Sequence, residues 1–257
     1  MPFKEGDFIL IDYVAKIKET GELLDTTKAE VAKEHKKFSE EKIYEPLLVI
    51  IGEHRVVEGL EEELMKMNVE EEKTIEIPPE KAYGKRDPTK VKLLPLREFA
   101  KKGIVPKIGE IVEINGMLAT IRNVTGGRVI VDFNHPLAGK TLIYNVKIVR
   151  KIEEPLEKVK YLLHRRIKSV PPEKFDVKIV DGTLRIEMPK ETYFVDDIQY
   201  IKQAVAKDIE KYVPIAPLLE FVEKYQIKLP EVKVSEKAEA TKKELKTTTN
   251  SSKQNPS

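Results

Sequence analysis

The chain has 257 residues, with 46 Lys and Arg against 44 Asp and Glu and no cysteine. A net charge of +2 excludes a globally basic nucleic-acid coat, and the lack of cysteine excludes disulfides, thiolate nucleophiles, zinc fingers and iron–sulfur clusters together. At about 150 residues per domain the length predicts two or three domains, and 40% apolar residues suffice for real cores.

No run reaches the ~18 apolar residues of a membrane helix. Met1–Asp7 holds no apolar signal core, which predicts a cytoplasmic protein.

The first strand is predicted over 8–18, with Ile11, Tyr13, Ala15 and Ile17 on one face and Asp12, Lys16 and Lys18 on the other. Glu19-Thr20-Gly21-Glu22 reads as a tight turn into a return strand at Leu23-Leu24-Asp25. Residues 26–45 form a polar excursion with a short helix near 28–37. A buried strand follows at 47–51, closed by Gly52. Leu60, Leu64 and Met67 recur at helical spacing over 58–67. Residues 73–77 alternate again, and Pro78-Pro79 ends the run.

Residues 88–136 change character. A loose apolar stretch (Leu93, Leu94, Leu96, Phe99, Ile104, Val105) is broken by Pro95 and Pro106. Three β runs follow at 110–114, 118–124 and 128–133, separated by Asn115-Gly116 and Gly126-Gly127, both strong hairpin signals. A strand at 141–149 puts Leu142, Tyr144, Val146 and Ile148 on one face. Beyond Pro155 the pattern is helix, hairpin (176–180 and 183–188 joined by Asp181-Gly182), helix (about 196–212) and a last short helix from Pro217 to Tyr225. Residues 231–257 are mostly Lys, Glu, Thr and Ser with few apolar residues, which predicts disorder.

No phosphate-binding loop, zincin motif or nucleophile elbow occurs. One constellation stands above background. Tyr13 and Asp25 flank the first turn, and Val56-Val57-Glu58-Gly59-Leu60 opens the helix. Ile77-Pro78-Pro79-Glu80-Lys81-Ala82-Tyr83-Gly84 and Asn134-His135-Pro136-Leu137-Ala138-Gly139-Lys140-Thr141-Leu142 follow. Over residues 1–153 this order resembles the FKBP-type peptidyl-prolyl cis–trans isomerases, and within them the SlyD-like branch with an insert-in-flap domain. The segment beyond resembles the C-terminal extension of long archaeal members.

The resemblance implies an α+β fold. A half-open antiparallel sheet wraps one helix (1–87 and 137–153), a small β-rich domain is inserted at 88–136, and a C-terminal α-β-β-α-α domain covers 154–230. It implies a shallow apolar pocket with Leu60 as floor, where several relatives have tryptophan, and walls of Tyr13, Leu24, Val49, Val56, Val57 and Tyr144. The Val57 N–H would bind a substrate carbonyl, the Tyr83 hydroxyl would contact the peptide, and Asp25 would lie at the edge. Taken singly these residues read as ordinary core and turn; only their joint order carries the site. No cofactor or metal is implied, and the tail lacks the histidines with which some SlyD-like proteins bind metal.

By the same resemblance the insert binds unfolded or nascent chains and presents their X–Pro bonds to the pocket. Leu93, Leu94, Leu96, Ile104 and Met117 are more apolar side chains than so small a unit easily buries, which predicts a client surface. Two other readings remain open. One is a holdase with weak or no isomerase activity. The other is a ribosome- or RNA-associated folding factor that uses Lys158, Lys160, Arg165, Arg166 and Lys168.

Overall fold

A computed structural model describes residues 3–227; the expectation of disorder over 231–257 falls outside them. The chain up to Val222 clusters as one unit, and residues 223–227 carry no helix or strand.

The body opens with β1 (Phe8–Ile17), β2 (Leu23–Thr26), the short helix α1 (Ala29–Glu34), β3 (Leu47–Ile50), α2 (Glu58–Leu64) and β4 (Glu72–Ile77). The insert contributes β5 (Val91–Pro95), α3 (Leu96–Lys101), β6 (Ile111–Ile114), β7 (Met117–Thr125) and β8 (Arg128–Asp132). The chain returns through β9 (Leu142–Ile152) and ends with α4 (Pro155–Arg166), β10 (Asp176–Val180), β11 (Thr183–Glu187), α5 (Ile198–Tyr212) and β12 (Leu218–Val222).

The first sheet has five strands, all antiparallel. β1 lies between β9 on one edge and β2 and β3, which share the other edge; β9 then pairs with β4. Gly21, at φ +70°, makes the turn that reverses the chain from β1 to β2. α2 lays Leu60 and Leu64 on one face of this sheet, against Ile9, Ile11, Ile77, Leu142 and Val146. Gly59 makes this approach possible, because a Cβ there would stand 2.6 Å from the Ile77 side chain. The helix ends at Leu64, and the following turn delivers Met67 to the same core.

The strand predicted over 8–18 is found as β1, but alternation from Ile11 onward left the face of its first residues unassigned. Phe8 and Leu10, on the opposite face, are buried with Ile50 and Ile152 against α4, α5 and the C-terminal strands. The C-terminal segment therefore shares a core with the first sheet rather than closing one of its own. Its last element is the strand β12, not the expected helix, so the order is α-β-β-α-β. β12 pairs in parallel with β11, and the Met188 N–H donates to Val222 O at 2.8 Å. A short isolated helix here gains little, whereas Leu219, Phe221 and Val222 gain a ladder with β11 and a partly buried face at the sheet edge.

The insert is a four-stranded sheet in the order β5-β8-β7-β6, with α3 covering one face. Sequence reading found β6, β7 and β8 but left β5 and α3 as irregular chain. Pro95 looked like a break, but β5 is an edge strand and Pro95 is its last residue, where no donor is needed. Asn115 and Gly116, like Gly126 and Gly127, adopt positive φ, as two-residue hairpins require.

Candidate active site

The pocket begins as a row across the sheet. Asp25 on β2, Ala15 on β1 and Tyr144 on β9 stand opposite one another in register. The small Ala15 leaves room in that row, and Tyr13, two residues along β1, fills the same face. The Tyr13 and Tyr144 rings are 5.9 Å apart and tilted by 41°. The Tyr13 backbone is pinned to the strand end, with its N–H donating to Thr27 Oγ1 (3.0 Å) and its C=O accepting from Thr26 Oγ1 (2.9 Å).

The Tyr13 hydroxyl donates to Asp25 Oδ2 at 2.6 Å. Lys42 Nζ binds the other Asp25 oxygen and also donates to Thr26 O at 2.9 Å. Burial works to raise the Asp25 pKa, but Lys42 and Tyr13 outweigh it and hold the carboxyl below its ordinary range. Burial, then the hydrogen bond and charge of Asp25, push the Tyr13 hydroxyl well above its ordinary value. Burial does the same for Tyr144. At neutral pH the site therefore holds an ionised carboxylate and protonated phenols.

The opposite wall is the loop into α2. Val57 is its N-cap, and its N–H makes no hydrogen bond among the described residues. Buried Glu61 fastens this loop to the helix, accepting from the Gly52 N–H at 2.8 Å and contacting His54 Nδ1 at 2.7 Å. Tyr83 closes the mouth. It follows the 3₁₀ turn Pro79–Lys81, and its ring stacks on His135 with centroids 4.4 Å apart and planes within 2°.

Together Tyr13, Asp25, Val56, Val57, Leu60, Tyr83 and Tyr144 line one open cavity of about 360 Å³, joined by Leu47 and Arg55. Two expected wall residues do not line it. Val49 is buried behind the pocket among Ile9, Ile11 and Leu60, and Leu24 packs on the margin of that core. Leu47 takes the β3 place expected of Val49 because β3 runs deeper into the core toward Ile50. Sequence reading also missed Lys42 and Arg55. Lys42 lies 17 residues from Asp25 in a polar stretch without pattern, so no sequence signal marks it. Arg55 directly precedes the Val56-Val57 pair that was singled out, and it has no carboxylate partner among the described residues.

In the insert, Leu93 and Met117 are more than half exposed, while Leu94, Leu96 and Ile104 are partly buried on its core. The most exposed apolar side chains of the insert are others: Val105, Ile108, Ile111 and Leu118. A groove of about 160 Å³ between α3 and the 114–115 turn is lined by Leu94, Phe99, Ile104 and Ile114. The insert's root is stapled where it leaves the body. Buried Asp132 accepts from Arg86 (2.9 Å) and Arg122 (3.0 Å), and Asn134 exchanges two 2.9 Å hydrogen bonds with the Asp87 backbone.

The basic residues of α4 and its C-terminal end are mostly paired. Arg165 reaches Glu53 and Asp208, Arg166 reaches Asp208, and Lys168 reaches Glu45. Among the described residues no helix is long and apolar enough to cross a membrane.

In sequence the chain is similar to known proteins over most of its length. A family model described as FKBP26, IF domain matches residues 92–137, and one described as FKBP26_C-terminal matches residues 155–226. The chain is 41% identical over 145 residues to a short-type peptidyl-prolyl cis-trans isomerase of Methanocaldococcus jannaschii, covering 56% of this chain and 91% of that one. It is 33% identical over 117 residues to an FKBP-type 16 kDa peptidyl-prolyl cis-trans isomerase of Escherichia coli, covering 44% of this chain and 77% of that one. It is 35% identical over 116 residues to the FKBP-type isomerase SlyD of Helicobacter pylori, covering 43% of this chain and 62% of that one.

Proposed function

This chain belongs to the FKBP-type peptidyl-prolyl cis-trans isomerases, and from that premise we propose that it turns X–Pro bonds of unfolded or nascent cytosolic chains in the Tyr13–Asp25 pocket and gathers those chains with its insert. The observation that carries the reading is that Tyr13 and Asp25, hydrogen-bonded to each other with Lys42 behind Asp25, line one cavity with Leu60 and with Val57, whose N–H is unpaired among the described residues.

Rotating an X–Pro amide costs about 18–20 kcal/mol because resonance is lost, and uncatalysed it takes tens to hundreds of seconds. The planar amide is more dipolar than the twisted one, so an apolar Leu60 floor that takes the place of water against the bound proline disfavours the ground state relative to the transition state. The Val57 N–H and the Tyr83 hydroxyl hold the peptide at donors already in place. Asp25 keeps the Tyr13 ring fixed without transferring a proton. No covalent bond forms. A gain of about 10³ in rate requires only about 4 kcal/mol of differential binding. On the insert, Leu93, Ile111 and Leu118 offer an apolar face that raises the local concentration of client next to the pocket.

The test is isomerisation of a short X–Pro peptide followed by exchange NMR. Asp25→Ala is expected to lower kcat/KM by about 10-fold or more, and Tyr83→Phe by less because its hydroxyl only positions the peptide. Undiminished catalysis in Asp25→Ala would move the active site elsewhere. No catalysis by the unaltered protein would leave a holdase.

A further inference from the structure

Among the described residues none beyond Ile152 lines the pocket, yet the end of α4 grips two of the loops at its rim. The first loop, 42–46, carries Lys42 and leads into Leu47 at the start of β3, with Glu45 between them. His164, buried, directs Nδ1 at Val170 O (2.7 Å) and Nε2 at both Glu45 oxygens (2.8 and 2.9 Å). Lys168 adds a third contact to Glu45 at 2.6 Å. The second loop, 52–57, carries Arg55, Val56 and Val57. Its Glu53 receives two hydrogen bonds from Arg165 Nη1, at 2.7 and 2.9 Å. The other arm of Arg165 reaches Asp208 on α5 at 2.8 Å.

The Arg165 side chain is only 8% exposed, and its Nε is buried without a partner among the described residues. Such a network is weak ground for stability, since apolar packing often does as well. What a directional, two-bond contact adds is placement. We infer that His164 and Arg165 are positioning residues of the isomerase: by holding Glu45 and Glu53 they set the spacing between the Lys42–Leu47 and Val56–Val57 sides of the pocket mouth. The extension beyond Ile152 thereby acts on the reaction without touching substrate. This inference rests on the pocket assigned above.

The experiment compares full-length Glu53→Gln, Glu45→Gln and Asp208→Asn, each with its Tm and with peptide isomerisation resolved into kcat and KM. Glu53→Gln and Glu45→Gln each release one rim loop. They are expected to lower kcat/KM about 3- to 10-fold, chiefly through KM, because the rim grips planar and twisted peptide alike. Asp208→Asn takes a partner from the same Arg165 but frees no rim loop. It is expected to lower Tm comparably and to leave kcat/KM within about twofold. Arg165→Lys, which keeps the charge but cannot bridge Glu53 and Asp208 together, is expected to follow Glu53→Gln and serves if that variant does not fold.

Equal kcat/KM losses in Asp208→Asn and Glu53→Gln, or none in either glutamate variant, would overturn the inference. Asp25→Ala in the same assay separates the two readings. If it retains full turnover the pocket assignment fails; if it loses turnover while the glutamate variants do not, only the clamp fails.

Discussion

Asp25 stays ionised because Lys42 and Tyr13 both hydrogen-bond to it, and at neutral pH that fixes the Tyr13 ring with its hydroxyl pointing at the carboxylate. Its pKa in the folded protein lies below the ordinary 3.8. Its contribution to stability is thus complete above that value and is lost as pH falls through the depressed one. A kcat/KM profile flat between about pH 5 and 8 is expected, as no group needs to change its charge. Asp132 behaves alike at the insert's root. Burial opposes its charge, but Asn134, Arg86 and Arg122 hold its pKa far below the usual range. Its stabilisation likewise persists above about pH 4 and fades only in stronger acid. Asp132→Asn is expected to weaken the insert by about 1.5–3 kcal/mol, the worth of a hydrogen bond to a charged group. Hydrogen exchange confined to 88–134 would report it, and unchanged protection there would refute the account.

Among the elements, α2 depends most on one residue. Gly59 faces Ile77 Cγ2 at 2.6 Å and Lys81 Cβ at 3.1 Å from the place a Cβ would occupy. Gly59→Ala must push the helix off β4, and with it the Leu60 floor. We expect a loss of about 1–3 kcal/mol in stability, measured by urea unfolding, together with reduced turnover; a variant as stable as the parent would show that the helix shifts freely. Elements with strong periodicity or turn chemistry were legible in the sequence: β1 and β9 from alternation, and the insert's two hairpins from Asn115-Gly116 and Gly126-Gly127. β5 and β12 were not. Each is a short edge strand whose identity comes from the neighbour it pairs with, β8 or β11.

On the scale of the whole molecule, the proposed division of labour predicts that losses in pocket and insert separate. Changing Leu93, Ile111 and Leu118 together to Ser removes exposed apolar surface without emptying a core. Catalysed refolding of a proline-limited protein is expected to slow by about 10-fold or more, with tetrapeptide turnover within about twofold. Equal losses on both substrates would defeat this division of labour.

The sequence by itself determined the family and the strand–helix order of the body through local pattern and motif order, and the family resemblance named seven of the residues that line the cavity. Tertiary structure decided the rest. It selected Leu47 over Val49, brought Lys42 to Asp25, and buried Phe8 and Leu10 against α4 and α5. It also tied Glu45 and Glu53 to His164 and Arg165 across more than a hundred residues. A charged residue in a polar loop looks the same in sequence whether its partner is water or a buried guanidinium, and only folding supplies the partner.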